Sequence, residues 1–432
     1  MEKWFDFKGR GTNASTEVIA GITTFITMVY IAIVNPAILS KTGMDFNGVF
    51  VATILATMIG TLIMGVFSNY PIAIAPGMGL NSFFAFAVVL ALGITWQKAL
   101  GAVFIASLIF LVLSFTKFRN VLINSIPESL KHSITAGIGL FIAFIGLQGS
   151  KIIVDSPATL VTFGHASDPV VLLTIFNLFV TVVLMMFNVR GNIFIGMVIT
   201  AIIALFNGMI TLPPSLFVWP TGLEHTAMQM DIKGVFDNNL YAIIFTFFLI
   251  TLFDTTGTMI GIAEQAGLIK DGKFPRIKSA LLADAVGSTA GAMLGTSPTS
   301  AYIESGAGVA VGGRTGFSSV VVALLFGLLL FCAPLAQMLA SIPAITAPAL
   351  IIVGFLMMSS LRNIDWNDFE ESFPAFLIVF LMPLSYSIAI GIGIGFIIYP
   401  LLKIIRGKAA EVHPLMYLFQ ILFFIQIGFL GH

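Results

Sequence analysis

Long apolar runs recur along the whole chain, and no other feature of the sequence constrains the fold as strongly. Each run has about 18–25 residues, the length that an α-helix needs to cross the hydrocarbon core of a bilayer. Hydrophobic residues make up 58% of the 432 residues and charged residues only 9%, so an ordinary water-soluble domain is excluded. The sequence therefore predicts an all-α polytopic membrane protein surrounded by a lipid bilayer.

The runs predict about fourteen transmembrane segments, several of them short. With a cytoplasmic N-terminus, sixteen of the twenty Lys and Arg residues fall on the cytoplasmic side, as the positive-inside rule requires. The four on the other side are Lys41, Lys98, Lys151 and Lys233. The predicted segments are 17–40, 47–67, 75–92, 97–115, 130–148, 170–188, 192–210, 238–260, 279–294, 298–311, 315–333, 344–361, 373–386 and 387–405.

The two ends of the chain lie outside these segments. Residues 1–16 are polar and mixed in charge and lack an apolar core with a cleavage site, so we expect a cytoplasmic N-terminus rather than a signal peptide. The tail, 406–432, contains an apolar stretch at 413–430. The sequence leaves three alternatives for this stretch: a further crossing, a re-entrant segment or a helix on the surface.

Each half of the chain contains one short segment that is interrupted by Gly and Pro. The polar connection 211–239 separates seven predicted segments from seven others, so the second half enters the membrane from the opposite face. The interrupted segments are NYPIAIAPGMGLNSFFAF (69–86) and TSPTSAYIESGAGVAVGG (296–313). Broken helices at corresponding places in two inverted repeats are typical of secondary transporters, and the breaks indicate the binding site.

The residues at the breaks favour non-helical backbone. Pro76 and Pro298 each remove a backbone donor, and Gly77 and Gly79 permit extended or left-handed conformations. Two half-helix N-termini that face each other would present free N–H groups to a polar ligand. The alternative is that both segments are ordinary helices with proline kinks.

Two carboxyl groups lie deep in apolar segments, those of Asp254 and Glu304. An ionisable side chain in hydrocarbon is costly and usually marks a ligand site or a proton relay. Desolvation favours the protonated form of a carboxyl, so such a group can take up and release a proton. The alternative is a structural carboxyl bonded only to neighbouring hydroxyls. We expect Glu264 at a solvated helix end and Asp284 in contact with the neighbouring broken segment.

The motifs APGMGLNSFFAF, LFDTTGTMIG and SPTSAYIESGAGVAVGGRTG resemble those of the nucleobase–cation symporters, in particular the AzgA-like hypoxanthine/guanine/adenine permeases. The resemblance covers nearly the whole chain. It implies fourteen segments in two inverted seven-segment repeats, with a core domain and a gate domain. The implied core domain is 17–115 with 238–333, and the implied gate domain is 130–210 with 344–405.

The resemblance also implies the residues that contact a purine. Asn81, Asp254 and Glu304 match the polar set of the family, and Tyr302 matches a position that lines the pocket. We extend the predicted substrate site to their neighbours, which are Gly79, Phe83, Thr255, Thr258 and Ser305.

The two acids are predicted to share proton coupling. Glu304 follows a break, where a half-helix N-terminus favours the anion, so we expect it mainly to hold substrate. Asp254 lies in a longer apolar run, so we expect it mainly to carry the proton. Asn81 offers a donor and an acceptor, so Asn81→Ala is expected to lower affinity without unfolding the protein.

The predicted function is therefore proton-coupled uptake of purine nucleobases, namely hypoxanthine and guanine and also adenine, across the plasma membrane. Uracil, xanthine or an anion as the cargo of the same fold is the first alternative, and a channel or an intramembrane enzyme is a distant one. No catalytic residues, cofactor or metal site are predicted, because one Cys and five scattered His show no ligand spacing. A net charge of zero suggests no nucleic-acid partner. A homodimer is compatible with the implied fold.

Overall fold

The computed structural model describes residues 2–116, 118–238, 240–269 and 274–429, and the protein is 72% helical. Lys117, Lys270 and Lys273, which we counted among the cytoplasmic cations, lie outside the described residues. Nine helices in the described part of the chain are long and apolar enough to cross a membrane. Shorter apolar helices lie at Met78–Ala91, Asn192–Phe206 and Pro414–Ile425.

The helices of the first half follow the predicted segments closely. They are α1 (Glu2–Phe5), α2 (Ala14–Met28), α3 (Ile31–Leu39), α4 (Phe46–Ile63), α5 (Met78–Ser82), α6 (Trp96–Ser114), α7 (Phe118–Ser125), α8 (Glu128–Gly149), α9 (Pro169–Met186) and α10 (Asn192–Phe206). The strands here are β1 (Ile74–Pro76), β2 (Ile153–Ser156) and β3 (Leu160–Phe163). A π-helix at Phe83–Ala91 continues α5, and β2 and β3 form a hairpin.

The second half repeats this order. Its helices are α11 (Ile232–Asp237), α12 (Tyr241–Gln265), α13 (Ile277–Leu294), α14 (Ser305–Ala310), α15 (Gly316–Leu329), α16 (Ala333–Ala340), α17 (Pro343–Met358), α18 (Phe369–Leu384), α19 (Ile388–Ile405) and α20 (Pro414–Phe429), and its strand is β4 (Thr299–Ala301). The prediction of an all-α membrane protein with two inverted seven-segment repeats is confirmed. The structure also contains two short antiparallel strand pairs, which the sequence did not predict.

The two broken segments meet through their extended parts. Strands β1 and β4 pair antiparallel, with Ala75 opposite Ser300. The Gly77 N–H donates to the Pro298 carbonyl at 3.0 Å, and the Tyr302 N–H donates to the Ala73 carbonyl at 3.0 Å. Non-helical backbone inside a membrane protein needs such partners, because no lipid group can supply them. The two broken segments therefore satisfy each other's backbone N–H and carbonyl groups.

Close helix packing holds the segments around these breaks. Helix α8 packs on α17 and α18, whereas α13 packs on α4 and α6. Gly139 of α8 and Gly354 of α17 lie against each other, and a Cβ added to Gly139 would lie 2.6 Å from the Gly354 carbonyl oxygen. Small residues at such a contact let two membrane helices approach closely.

We expect Gly354→Ala to destabilise the protein, because the new methyl group would overlap the backbone of Gly139. Overpacking of this kind costs about 1–3 kcal/mol. The melting temperature of the purified protein in detergent should fall clearly. Gly428→Ala is the matched control, because a Cβ at this helical glycine meets no atom of the described residues within 4 Å. An unchanged melting temperature for Gly354→Ala would contradict the close approach of α8 and α17.

The C-terminal helix α20 runs back along α19. The Gln420 side-chain amide donates to the Ile397 carbonyl at 3.0 Å, and Gly393 faces the Phe423 ring. Phe423 also packs against Phe245 of α12, with ring centroids 5.7 Å apart. Since α19 is itself long and apolar enough to cross a membrane, this lengthwise packing favours a further crossing over a surface helix.

Candidate functional site

A cavity of about 440 Å³ lies beside the paired strands, and this volume is within the usual range for small-molecule sites. Its walls come from both broken segments, the junction of α2 and α3, and helices α8, α12 and α17. Five of the nine predicted site residues line it, namely Gly79, Asp254, Thr258, Tyr302 and Glu304. The strand pair thus brings residues from the two halves of the chain to one place.

The two deep acids each use one oxygen within the protein. The Ser300 hydroxyl donates to Asp254 Oδ2 at 2.6 Å, and the Tyr30 hydroxyl donates to Glu304 Oε1. Among the described side chains, none donates to the second oxygen of either carboxyl group. Both acids line the cavity, so each presents one free oxygen to a ligand.

Backbone donors complete the polar lining at the first break. The N–H groups of Met78, Gly79 and Leu80 make no hydrogen bond within the described part of the chain, and Met78 and Gly79 line the cavity. The first half-helix therefore offers free donors, as the sequence predicted.

The second half-helix differs from the prediction. The N–H groups of Ser305, Gly306 and Ala307 donate to the carbonyls of Tyr302, Ile303 and Glu304. A tight turn after β4 therefore satisfies the backbone N–H groups at the start of α14. We expected free N–H donors at both breaks, and for the second break this expectation is wrong.

Four predicted site residues lie behind the cavity rather than on it. Asn81 Nδ2 donates to Asn35 Oδ1 at 3.0 Å, and the Phe83 ring packs on the Phe247 ring with centroids 4.9 Å apart. The Thr255 hydroxyl donates to Asp284 at 2.6 Å. Ser305 Oγ accepts from the Ala73 N–H at 3.0 Å. Helix geometry explains the difference for α12. Thr258 is one turn from Asp254 and shares its face, whereas Thr255 follows directly and points elsewhere.

Asn81 belongs to a buried polar network instead of the cavity wall. Its partner Asn35 also donates to Thr53 at 2.7 Å and to Thr296 at 2.8 Å. This network joins α3, α4 and the two broken segments. Asn81 is not among the residues that line the cavity, so the predicted contact between its amide and a purine is corrected. Its contacts make Asn81 a support for the break.

Asp284 supports the site from behind. Its carboxyl group is fully buried and accepts from Thr255 at 2.6 Å and from Thr299 at 2.8 Å. It therefore ties α12 and α13 to β4, which confirms the expected contact with the broken segment. Glu264 lies exposed near the end of α12, also as expected.

Several residues that line the cavity were not among the predicted site residues. Tyr30 comes from the bend between α2 and α3. Ser300 comes from β4, His132 and Thr135 come from α8, Gln265 comes from α12, and Ser360 and Asn363 come from the turn after α17. Only Ser300 lies in a stretch that the sequence singled out. The rest stand in ordinary apolar or helix-end contexts, so only the tertiary fold identifies them.

The polar residues at helix ends show where the cavity opens. His132 lies in the second turn of α8, Gln265 is the last residue of α12, and Asn363 follows α17. All three line the cavity. The mouth therefore faces the side of the bundle at which α8 begins and α12 and α17 end.

Comparison with known proteins adds to this geometry. A family model described as "Permease family" matches residues 15–400. The guanine/hypoxanthine permease PbuO of Bacillus subtilis is 52% identical, over 98% of this chain and 99% of that protein. The adenine permease AdeP of Escherichia coli K12 is 44% identical, over 100% of this chain and 96% of that protein. The transmembrane domain of a cyanobacterial bicarbonate transporter, BicA, has a similar fold, with a TM-score of 0.66 at 14% identity, over 87% of this chain and 97% of that one.

Proposed function

This chain belongs to the Permease family of membrane transport proteins, and from that premise we propose that it carries purine nucleobases, coupled to protons, into the cell. The observation that carries the proposal is the cavity, where two carboxyl groups each offer a free oxygen and the first break offers unpaired backbone N–H groups. A purine base presents N–H donors and ring or carbonyl acceptors along its edges. Such a ligand can satisfy both sets of groups.

The relatives support purines as the class of substrate. PbuO is named for guanine and hypoxanthine and AdeP for adenine. Both align with nearly the whole of this chain. Hypoxanthine and guanine are our first expectation and adenine the second.

An anion is the second candidate cargo, because the fold is shared with a bicarbonate transporter. The cavity argues against it. No Lys or Arg is among the described residues that line the cavity, whereas Asp254 and Glu304 are. Two carboxyl groups without a neighbouring cation would repel an anion unless both were protonated.

We propose that transport moves two groups of helices against each other, with 17–115 and 238–333 as the core and 130–210 and 344–405 as the gate. Packing of α13 on α4 and α6, and of α8 on α17 and α18, supports this division. The cavity takes its acids from the first group and His132, Thr135 and Asn363 from the second. A ligand between the groups would be exposed to one side at a time.

The proposed location is the plasma membrane, with the N-terminus in the cytoplasm. The distribution of Lys and Arg supports this orientation. The mouth of the cavity then lies on the cytoplasmic side, where α8 begins, so the structure corresponds to an inward-open state.

Uptake of labelled hypoxanthine tests the proposal. The protein is expressed in cells that lack their own purine permeases, and unlabelled guanine, adenine, xanthine and uracil compete for uptake. We expect guanine to compete strongly, adenine to compete less, and uracil to have little effect. Strong competition by uracil alone would indicate a pyrimidine carrier, and strong competition by xanthine alone would indicate a purine other than hypoxanthine and guanine as the substrate.

Energy coupling gives a separate prediction. If the carboxyl groups in the cavity carry the proton, uptake should be faster at acidic external pH and should collapse with a protonophore, while replacing sodium changes little. The measurement is the initial rate of hypoxanthine uptake under each condition. A strict sodium requirement without pH dependence would exclude proton coupling.

A further inference from the structure

Tyr30 occupies the bend in the first membrane segment, between the end of α2 at Met28 and the start of α3 at Ile31. Its side chain is fully buried within the protein yet contributes to the cavity wall. Its hydroxyl donates to Glu304 Oε1. A residue from the first segment therefore touches the carboxyl group that follows the second break.

We propose that Tyr30 is a positioning residue for transport, which holds Glu304 so that Oε1 accepts from tyrosine and Oε2 alone meets the ligand. This inference rests on the proposed function. A carboxyl group has two oxygens that could each take the proton or the ligand. Because Oε1 already accepts a hydrogen bond, a proton on Glu304 is directed to Oε2. The same oxygen then accepts from the ligand when ionised and donates to it when protonated.

The contact is fixed by packing on both sides. Helix α14, which follows Glu304, lies so close to α2 that a Cβ added to Gly308 would be 2.7 Å from the Ala20 carbonyl oxygen. The Thr27 hydroxyl also approaches the Glu304 carbonyl oxygen, at 3.4 Å. The packing of α14 on α2 therefore holds the backbone of Glu304 beside the bend that carries Tyr30.

The site contains a parallel arrangement at the other acid. Ser300 holds Asp254 Oδ2 at 2.6 Å, as Tyr30 holds Glu304 Oε1. Tyr302, the other tyrosine of the cavity wall, does not take part, because its hydroxyl donates to the Pro76 carbonyl at 2.6 Å. Each acid thus has its own hydroxyl partner, and Tyr30 is the partner of Glu304.

A double-mutant cycle tests the proposal through binding of labelled hypoxanthine to purified protein. Tyr30→Phe removes only the hydroxyl, and we expect affinity to fall about tenfold, the scale of a lost hydrogen bond to a charged group. In the Glu304→Ala background the same change should alter affinity by less than about twofold, because neither carboxyl oxygen remains to accept from Tyr30. Equal losses in both backgrounds, or no loss in Tyr30→Phe, would overturn the proposal.

A second measurement does not depend on binding. A hydrophobic carbodiimide labels protonated carboxyl groups, and mass spectrometry gives its rate of reaction at Glu304 without substrate. Tyr30→Phe should change this rate several-fold while the melting temperature stays close to that of the wild type. Tyr417→Phe, which loses a hydroxyl bonded to Ala409 far from the cavity, should leave it unchanged. An unchanged rate in Tyr30→Phe refutes the positioning role, whereas a wild-type protein that binds no hypoxanthine refutes the proposed function instead.

Discussion

Glu304→Gln is expected to weaken equilibrium binding of hypoxanthine by roughly 10- to 100-fold, the scale of one lost hydrogen bond to a charged group. Asp254→Asn is expected to retain binding and exchange of labelled for unlabelled substrate but to lose proton-driven accumulation. Glu304 precedes α14 and accepts from the phenolic hydroxyl of Tyr30, which is more acidic than an aliphatic hydroxyl and therefore the stronger donor. Asp254 lies in the middle of α12 and accepts from the aliphatic hydroxyl of Ser300, so its charged form has less support.

The two variants are compared in the same preparation by equilibrium binding, counterflow exchange and accumulation. Glu264→Gln is the matched control, because Glu264 is exposed near the end of α12 and does not line the cavity. It should behave like the wild type in all three assays. If Asp254→Asn abolishes binding while Glu304→Gln binds normally, the two roles are the reverse of our prediction.

Asp284→Ala is expected to abolish transport and to lower the melting temperature. The change leaves the buried Thr255 hydroxyl without its acceptor, at a cost of roughly 1–3 kcal/mol. The Thr299 hydroxyl loses its carboxyl partner and keeps the backbone carbonyl of residue 284, at 3.1 Å. It also removes one of the ties that hold β4 on α12 and α13, and Ser288 still bonds Thr299, so Ser300 and Glu304 are held less firmly. Uptake rate and thermal unfolding in detergent measure the two effects.

Two further variants refine the test at Asp284. Asp284→Asn keeps an oxygen that can accept one hydroxyl and should retain part of the stability. Asp155→Ala removes an exposed carboxyl group from the β2–β3 hairpin and should change neither property. Normal transport by Asp284→Ala would show that the strand pair keeps its geometry without this support.

The sequence was sufficient for the parts of the fold that depend on local physics. Apolar run length and proline and glycine placement predicted the crossing helices and both breaks. The cost of an unpaired carboxyl in hydrocarbon identified Asp254 and Glu304, and both line the cavity. Asp284 was expected to contact the broken segment, and it does so through Thr299.

Other parts depend on contacts between distant segments. The pairing of Ala75 with Ser300 needs the two repeats to be docked first, and three-residue strands have no periodic signal. Tyr30 reaches Glu304 across 274 positions in sequence, and nothing in the surrounding apolar run marks it. The resemblance implies that Asn81 contacts a purine, whereas its side chain bonds Asn35 behind the cavity, because a matching motif does not fix the direction in which a side chain points.

Uptake of labelled hypoxanthine into liposomes that contain only the purified protein tests most directly whether this cavity carries purine bases. With the outside made more acidic than the lumen, we predict saturable accumulation that unlabelled guanine inhibits and a protonophore abolishes. Liposomes with Glu304→Gln should take up far less at the same substrate concentration. Uptake by the wild-type protein no greater than in protein-free liposomes, under either direction of the pH gradient, would contradict a purine carrier.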